Sequence, residues 1–121
     1  MIITLCGSAR FEDAFHYWNE RLTMAGHVVF SLAVFPSQKG VKEWYNADQK
    51  NTLDIVHKQK IDASDAIFVI TRPVEALNTS SGYIGDSTRS EITHAEKRGR
   101  RVLYDWVHWN VDNLPIAATA I

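Results

Sequence analysis

The sequence predicts an α/β fold built on a parallel sheet, and three observations carry that prediction. Ile2–Cys6 and Ala66–Ile70 are short, almost wholly apolar runs, as expected of strands buried on both faces. Between them Phe11, Phe15, Trp18 and Leu22 recur at spacings of four, three and four, the stripe of an amphipathic helix. Glycines such as Gly7, Gly26 and Gly99 punctuate the changes of period. Strands alternating with helices in this way make βαβ units.

Taken in order, Ile2-Ile3-Thr4-Leu5-Cys6 reads as a central strand closed by Gly7. Cys6 suits packing as a small hydrophobe, with a reactive thiol as the rarer alternative. Gly7-Ser8-Ala9-Arg10 follows at once, in the kind of βα loop where α/β sheets bind ligands. Ser8 and Arg10 could hold a phosphate or carboxylate there; a tight turn with an exposed arginine is the plainer reading. The loop is neither a dinucleotide fingerprint nor a P-loop. The helix beginning at Phe11 stops at Gly26, a C-cap glycine, and 27–32 reads as a second strand.

Residues 33–47 lack periodicity and contain Pro36, Gly40, Trp44 and Tyr45. A connection of this length is often functional. The two aromatics could close over a ligand ring, anchor the loop or meet a subunit. Asp48 to Ala63 reads as a helix on which Leu53, His57 and Ile61 share a face. His57 is then either a hydrogen-bonded core residue or the border of a cleft. Asp62 and Asp65 flank the turn that follows and suit structural capping. The strand at 66–70 ends at Thr71-Arg72-Pro73 and a polar loop covers 74–81. A helix is expected from Thr88 to Arg98, with Ile92 and Ala95 inward and Glu91 leaning the same way. Residues 101–105 form the last clear strand; 106–121 show no period and could be a strand, a short helix or a cover for a partner.

The length of 121 residues suits one domain, spanning 1–121, with a core that needs neither disulfide nor metal. The formal charge of −1 and the lack of a basic stripe argue against nucleic-acid polymers and anionic membranes as partners. One cysteine excludes an internal disulfide and any metal site of cysteine-pair type. No basic leader precedes the first apolar run, so a cytoplasmic setting is expected.

The stretch Gly82-Tyr83-Ile84-Gly85-Asp86-Ser87-Thr88-Arg89-Ser90-Glu91 concentrates glycines, hydroxyls, an arginine and a carboxylate at a helix start. Helix N-termini attract anions, and this one offers extra donors. Thr88-x-x-Glu91 also fits a capping box, in which both side chains serve only orphan N–H groups. Position after the third strand, across from the Gly7-Ser8 loop, favours a ligand site.

Three segments together resemble the nucleoside 2-deoxyribosyltransferase-like family, which includes deoxynucleotide N-glycosidases. They are Cys6-Gly7-Ser8-x-Arg10-Phe11 after the first strand, His57-Lys58-Gln59-Lys60-Ile61-Asp62-x-Ser64-Asp65 before the third, and the Gly82–Glu91 stretch. Their order and spacing match over roughly residues 1–105. The resemblance implies a three-layer flavodoxin-like or Rossmann-like parallel sheet of four to five strands, with helices on both faces. It implies a site at the strands' carboxyl ends, no metal or other cofactor, and a tendency to form homo-oligomers. Glu91 matches the glutamate that attacks the anomeric carbon of a deoxyribosyl group. Gly7, Ser8 and Arg10 match the loop that holds the nucleoside or nucleotide, with Phe11 beside them. Two departures stand out. His57 occupies a position where the family carries aspartate, and Asp86-Ser87-Thr88-Arg89 replaces a segment of small residues.

The function so implied is cleavage or exchange of an N-glycosidic bond. Glu91 would be the nucleophile, with His57 or Asp86 protonating the departing base. Ser8, Ser87, Thr88 and Arg89 would gather a 5′-phosphate, arginine being suited to bidentate contacts, with Gly85 also among the substrate-binding residues. The alternative is a nucleotide-binding or sensing module that uses the same pocket without turnover.

Overall fold

The computed structural model describes residues 1–35, 45–80 and 82–114. Strands β1 (Ile2–Gly7), β2 (Val28–Phe30), β3 (Ala66–Ile70) and β4 (Arg101–Tyr104) alternate with helices α1 (Glu12–Met24), α2 (Ala47–Asp62) and α3 (Asp86–Lys97). All pairings are parallel and the strands lie in the order β2-β1-β3-β4. Ile3 pairs with Val29 on one side and Ala66 on the other, so β1 is central. The chain reverses its direction of travel across the sheet between β1 and β3. That is the switch point at which doubly wound sheets open a crevice.

Alternation along the strands sends side chains into two cores. On one face Ile3, Leu5, Phe68, Ile70 and Leu103 meet Phe15, Trp18 and Leu22 of α1. Trp18 and Phe68 bring their rings to 4.9 Å. On the other face Cys6, Ile67 and Val69 meet Ile61 of α2 and Ala95 of α3, with Ile92 packed alongside. Helices thus cover both faces of the sheet, giving the expected three layers with four strands among the described residues. Truncating a fully buried ring such as Phe15 or Trp18 costs about 3–5 kcal/mol, through lost transfer energy and an unfilled cavity.

Boundaries differ from expectation where local patterns compete with tertiary context. The second strand is three residues long rather than six, because β2 has a partner only along β1. Phe11 precedes α1 in a 3-10 turn (Ala9–Phe11) and packs against the α1-side core. Helix α2 starts one residue early on an Asn46–Gln49 capping box, with N···O distances of 2.8 and 2.9 Å. Helix α3 also starts early, at Asp86. Its N-cap is Gly85, so Thr88 and Glu91 lie inside the helix and do not form the capping box. The tail yields a 3-10 turn at Val111–Asn113, with Val111 and Leu114 in the core. Pro36, Gly40 and Trp44 of the long connection, Ser81, and residues 115–121 lie outside the described residues.

Asp62 and Asp65 have the structural work expected of them. Asp65 Oδ2 accepts the Ile2 N–H at 2.8 Å. Asp62 Oδ1 stands 2.7 Å from His94 Nε2 and 3.6 Å from Arg98, tying α2 to α3. No helix among the described residues is long and apolar enough to cross a membrane.

Candidate functional site

The site forms where the loops after β1 and β3 meet. Gly7 has φ of 150°, and a Cβ there would lie 2.5 Å from the Ile70 carbonyl oxygen, so only glycine lets the first loop leave this close to β3. Ser8 then caps the 3-10 turn, its hydroxyl accepting the Arg10 N–H at 3.3 Å.

A buried polar network shapes the second loop. Asp105, fully buried just past β4, accepts from the Thr71 N–H at 2.9 Å and from Thr71 Oγ1 at 2.8 Å. Arg72 Nε donates to Thr71 Oγ1 at 2.9 Å, and Nη1 donates to the Thr79 carbonyl. The Thr71 carbonyl accepts the Tyr83 N–H at 2.7 Å, which turns the chain toward α3. A Cβ on Gly82 would lie 2.6 Å from Arg72 Nη2, so a larger residue there would push the guanidinium tip aside. Arg10 stacks on the Tyr83 ring with 4.1 Å from guanidinium carbon to centroid, joining the two loops.

Together these loops and the start of α3 enclose a cleft of about 400 Å³. Gly7, Ser8, Tyr83, Gly85, Asp86, Ser87 and Thr88 form one side. Leu32, Val34, Leu53, Asp54 and Lys60 form the other. Gly85 has no side chain with which to cap the first-turn N–H groups of α3. Those groups and the helix dipole therefore favour an anion at this end of the cleft.

Glu91 and His57 line the floor, each less than a tenth exposed, with Cys6 buried beneath. His57 Nε2 stands 3.6 Å from Cys6 Sγ and 4.0 Å from Glu91 Oε1. Burial raises the Glu91 carboxyl to about 7; Asp54 also raises it, while the Cys6 thiol and Lys58 oppose the shift. Burial lowers His57 to about 4, reinforced by Lys60 and opposed by a hydrogen bond to the Leu5 backbone. Burial likewise pushes the Cys6 thiol up, with Glu91 adding to the rise. All three groups are thus driven toward their uncharged forms.

The structure brings Gly7, Ser8, His57, Gly85, Asp86, Ser87, Thr88 and Glu91 to one cleft. Arg10 reaches it only through Tyr83. Phe11 does not reach it, because its ring is used in the α1-side core. Arg89 also lies elsewhere. Its guanidinium donates to the Ile84 carbonyl at 3.3 Å and lines a neighbouring hollow with Lys58, His94 and Lys97. Burial lowers the His57 imidazole and favours its uncharged form at neutral pH, which disfavours a protonated acid at this position. Tyr83, Lys60 and the Asp105–Thr71–Arg72 network escaped the sequence reading. A polar residue directly after an apolar strand was the only signal for Asp105, and it resembles any strand end.

No family model and no curated protein matches the sequence. Among solved structures, the chain is similar to a 2-deoxyribosyltransferase from the psychrotolerant bacterium Bacillus psychrosaccharolyticus. The TM-score is 0.64 at 19% identity, over 98% of this chain and 95% of that one. The chain therefore has the fold of a 2-deoxyribosyltransferase, the flavodoxin-like arrangement that its three motifs imply.

Proposed function

We propose that the cleft binds a nucleoside or nucleotide and that Glu91 cleaves or exchanges its N-glycosidic bond. The observation that carries this reading is a buried carboxylate on the floor of a cleft whose rim is an uncapped helix start with two hydroxyls. The ionised Glu91 attacks the anomeric carbon, the bond to the base breaks, and a covalent glycosyl-enzyme forms. Water or a second base then displaces Glu91. Ser8, Ser87 and Thr88 hold the sugar's 5′ end, and the open N–H groups of α3 favour a 5′-phosphate there. Asp86, exposed at the rim, is the candidate for protonating the base. A neutral His57 adds no positive charge beside Glu91, and the low-dielectric floor strengthens its attraction for an oxocarbenium-like sugar.

The test is incubation of the pure protein with deoxynucleosides and deoxynucleoside 5′-monophosphates, followed by chromatography for free base. Release by the wild type and none by Glu91→Gln, with an unchanged circular dichroism spectrum, supports the reading. Equal release by both proteins overturns the role of Glu91.

A second reading, binding without turnover, is favoured by one feature: a carboxyl held near 7 is only half ionised at neutral pH. It predicts thermal stabilisation by a nucleotide with no base released over long incubation.

A further inference from the structure

Cys6, His57 and Glu91 come from three different elements, and their ligating atoms lie within 4.8 Å of one another. All three side chains are buried, and two of them face the cleft. The set contains a thiol, an imidazole and a carboxyl, the three side-chain types that bind zinc. A tetrahedral zinc with bonds of about 2.3 Å to sulfur and about 2.0–2.1 Å to nitrogen separates those atoms by about 3.6 Å. That is the distance from Cys6 Sγ to His57 Nε2. The 4.0 Å from Nε2 to Glu91 Oε1 is longer than a tetrahedral edge, and a carboxylate rotation of under about 1 Å closes it.

We propose that Cys6, His57 and Glu91 form a three-ligand site for zinc or a similar borderline-soft divalent cation, with the fourth position open to the cleft. Charge balance supports burial of the ion. Binding expels the thiol proton and any proton on Glu91 to solvent, leaving a thiolate, a carboxylate and a neutral imidazole around a dication. The net charge is then zero. The Leu5 backbone, close enough to the His57 ring to oppose its pKa shift, is placed to give the outer support that metal-bound histidines use. Three protein ligands with an open position distinguish this arrangement from a closed structural site. An ion held here takes up the carboxylate that attacks in the proposed reaction, so loading would silence turnover. That consequence rests on the proposed function; the metal site itself does not.

The experiment uses the full chain, stripped with chelator and titrated with Zn²⁺ against a chromophoric competitor. Co²⁺ is then substituted to give an absorption spectrum. The expected result is one ion per chain and a thiolate-to-cobalt charge-transfer band in the near ultraviolet. Cys6→Ser should lose the band and bind at least about tenfold more weakly, while Glu91→Gln should keep the band and bind more weakly. Should Cys6→Ser fail to fold by circular dichroism, the band in Glu91→Gln decides alone. His94→Ala should bind as wild type does, since the partly buried His94–Asp62 pair is a competing site. No uptake by wild type, or uptake without the charge-transfer band, or binding lost in His94→Ala, overturns the proposal. Base release by chelated protein is assayed separately, so the metal site and the proposed chemistry fail independently.

Discussion

His57 Nε2 lies 4.0 Å from Glu91 Oε1, with the two side chains only 7% and 10% exposed. Burial moves the two groups in opposite directions on the pH scale. Glu91 rises from 4.5 to about 7 and His57 falls from 6.5 to about 4. In the native state Glu91 therefore holds a proton that the unfolded chain releases between about 4.5 and 7. Over that range its contribution to stability falls as pH rises. The unfolded chain instead holds a proton on His57 that the native state lacks between about 4 and 6.5, so that contribution grows with pH. Each slope is at most about 1.4 kcal/mol per pH unit, and they cancel where the ranges overlap. Glu91→Gln should therefore gain stability relative to wild type as pH rises from 4.5 to 7. His57→Gln should lose stability relative to wild type as pH rises from 4 to 6.5, and with the Glu91 slope uncompensated its own stability should decline between about 4.5 and 7. Urea denaturation midpoints at several pH values read both trends, and profiles parallel to wild type would remove the burial argument.

Under the proposed chemistry the attacking form of Glu91 is the carboxylate. Its population falls about tenfold per pH unit below a pKa of about 7. The expected kcat/KM for base release rises with unit slope up to that value and then levels. A profile already flat from pH 5 upward would mean that Glu91 is ionised by some other arrangement or is not the nucleophile.

Gly7→Ala tests the junction of the two loops. The substitution demands both a positive φ of 150° and a Cβ 2.5 Å from a carbonyl oxygen of the neighbouring central strand. Neither atom belongs to a flexible side chain, so relief requires strand movement. The loss should reach about 3 kcal/mol, read as a lowered denaturation midpoint or as failure to accumulate soluble protein. Gly99→Ala offers the comparison. Its φ is also positive but nothing lies within 4 Å of the added Cβ, so the cost should stay near about 1 kcal/mol.

The sheet was legible because its signal is redundant: apolar runs, helical stripes and glycine stops all agree on β1, α1 and β3. Glu91 was legible too, since its neighbours Ile92 and Ala95 define the inward face of α3. The start of α3 was not, because Thr88-x-x-Glu91 has the same spacing as a capping box. Only the tertiary position of Gly85 shows that the helix begins earlier. The charge state of His57 was hidden for another reason. Intrinsic pKa favours an acid near neutrality, whereas burial against β1 beside Lys60 reverses that; spacing put His57 on the Leu53–Ile61 face but left core and cleft border undivided. Arg89 illustrates the converse. It sits in the right motif, but successive helix positions point about 100° apart, which takes it away from the face shared by Thr88 and Glu91.

Asp105→Ala tests whether the wall carrying Tyr83 depends on a network remote from the chemistry. The change strips two acceptors from Thr71, leaving a buried N–H and a buried hydroxyl without their partners. Each orphan costs about 1–3 kcal/mol, so the total should be about 2–6 kcal/mol. The hydroxyl of Thr71 then turns away from Arg72, whose Nε donates to it, and the loop that Gly82 holds against this guanidinium loosens. Tyr83 hangs from the Thr71 carbonyl and lines the cleft, so ligand binding should weaken along with stability. Asp105→Asn keeps one acceptor oxygen and should recover part of both losses. The measurements are a denaturation midpoint and the thermal shift given by a nucleotide. A destabilised Asp105→Ala protein with a full ligand-induced shift would separate the network from the cleft and confine it to fold stability.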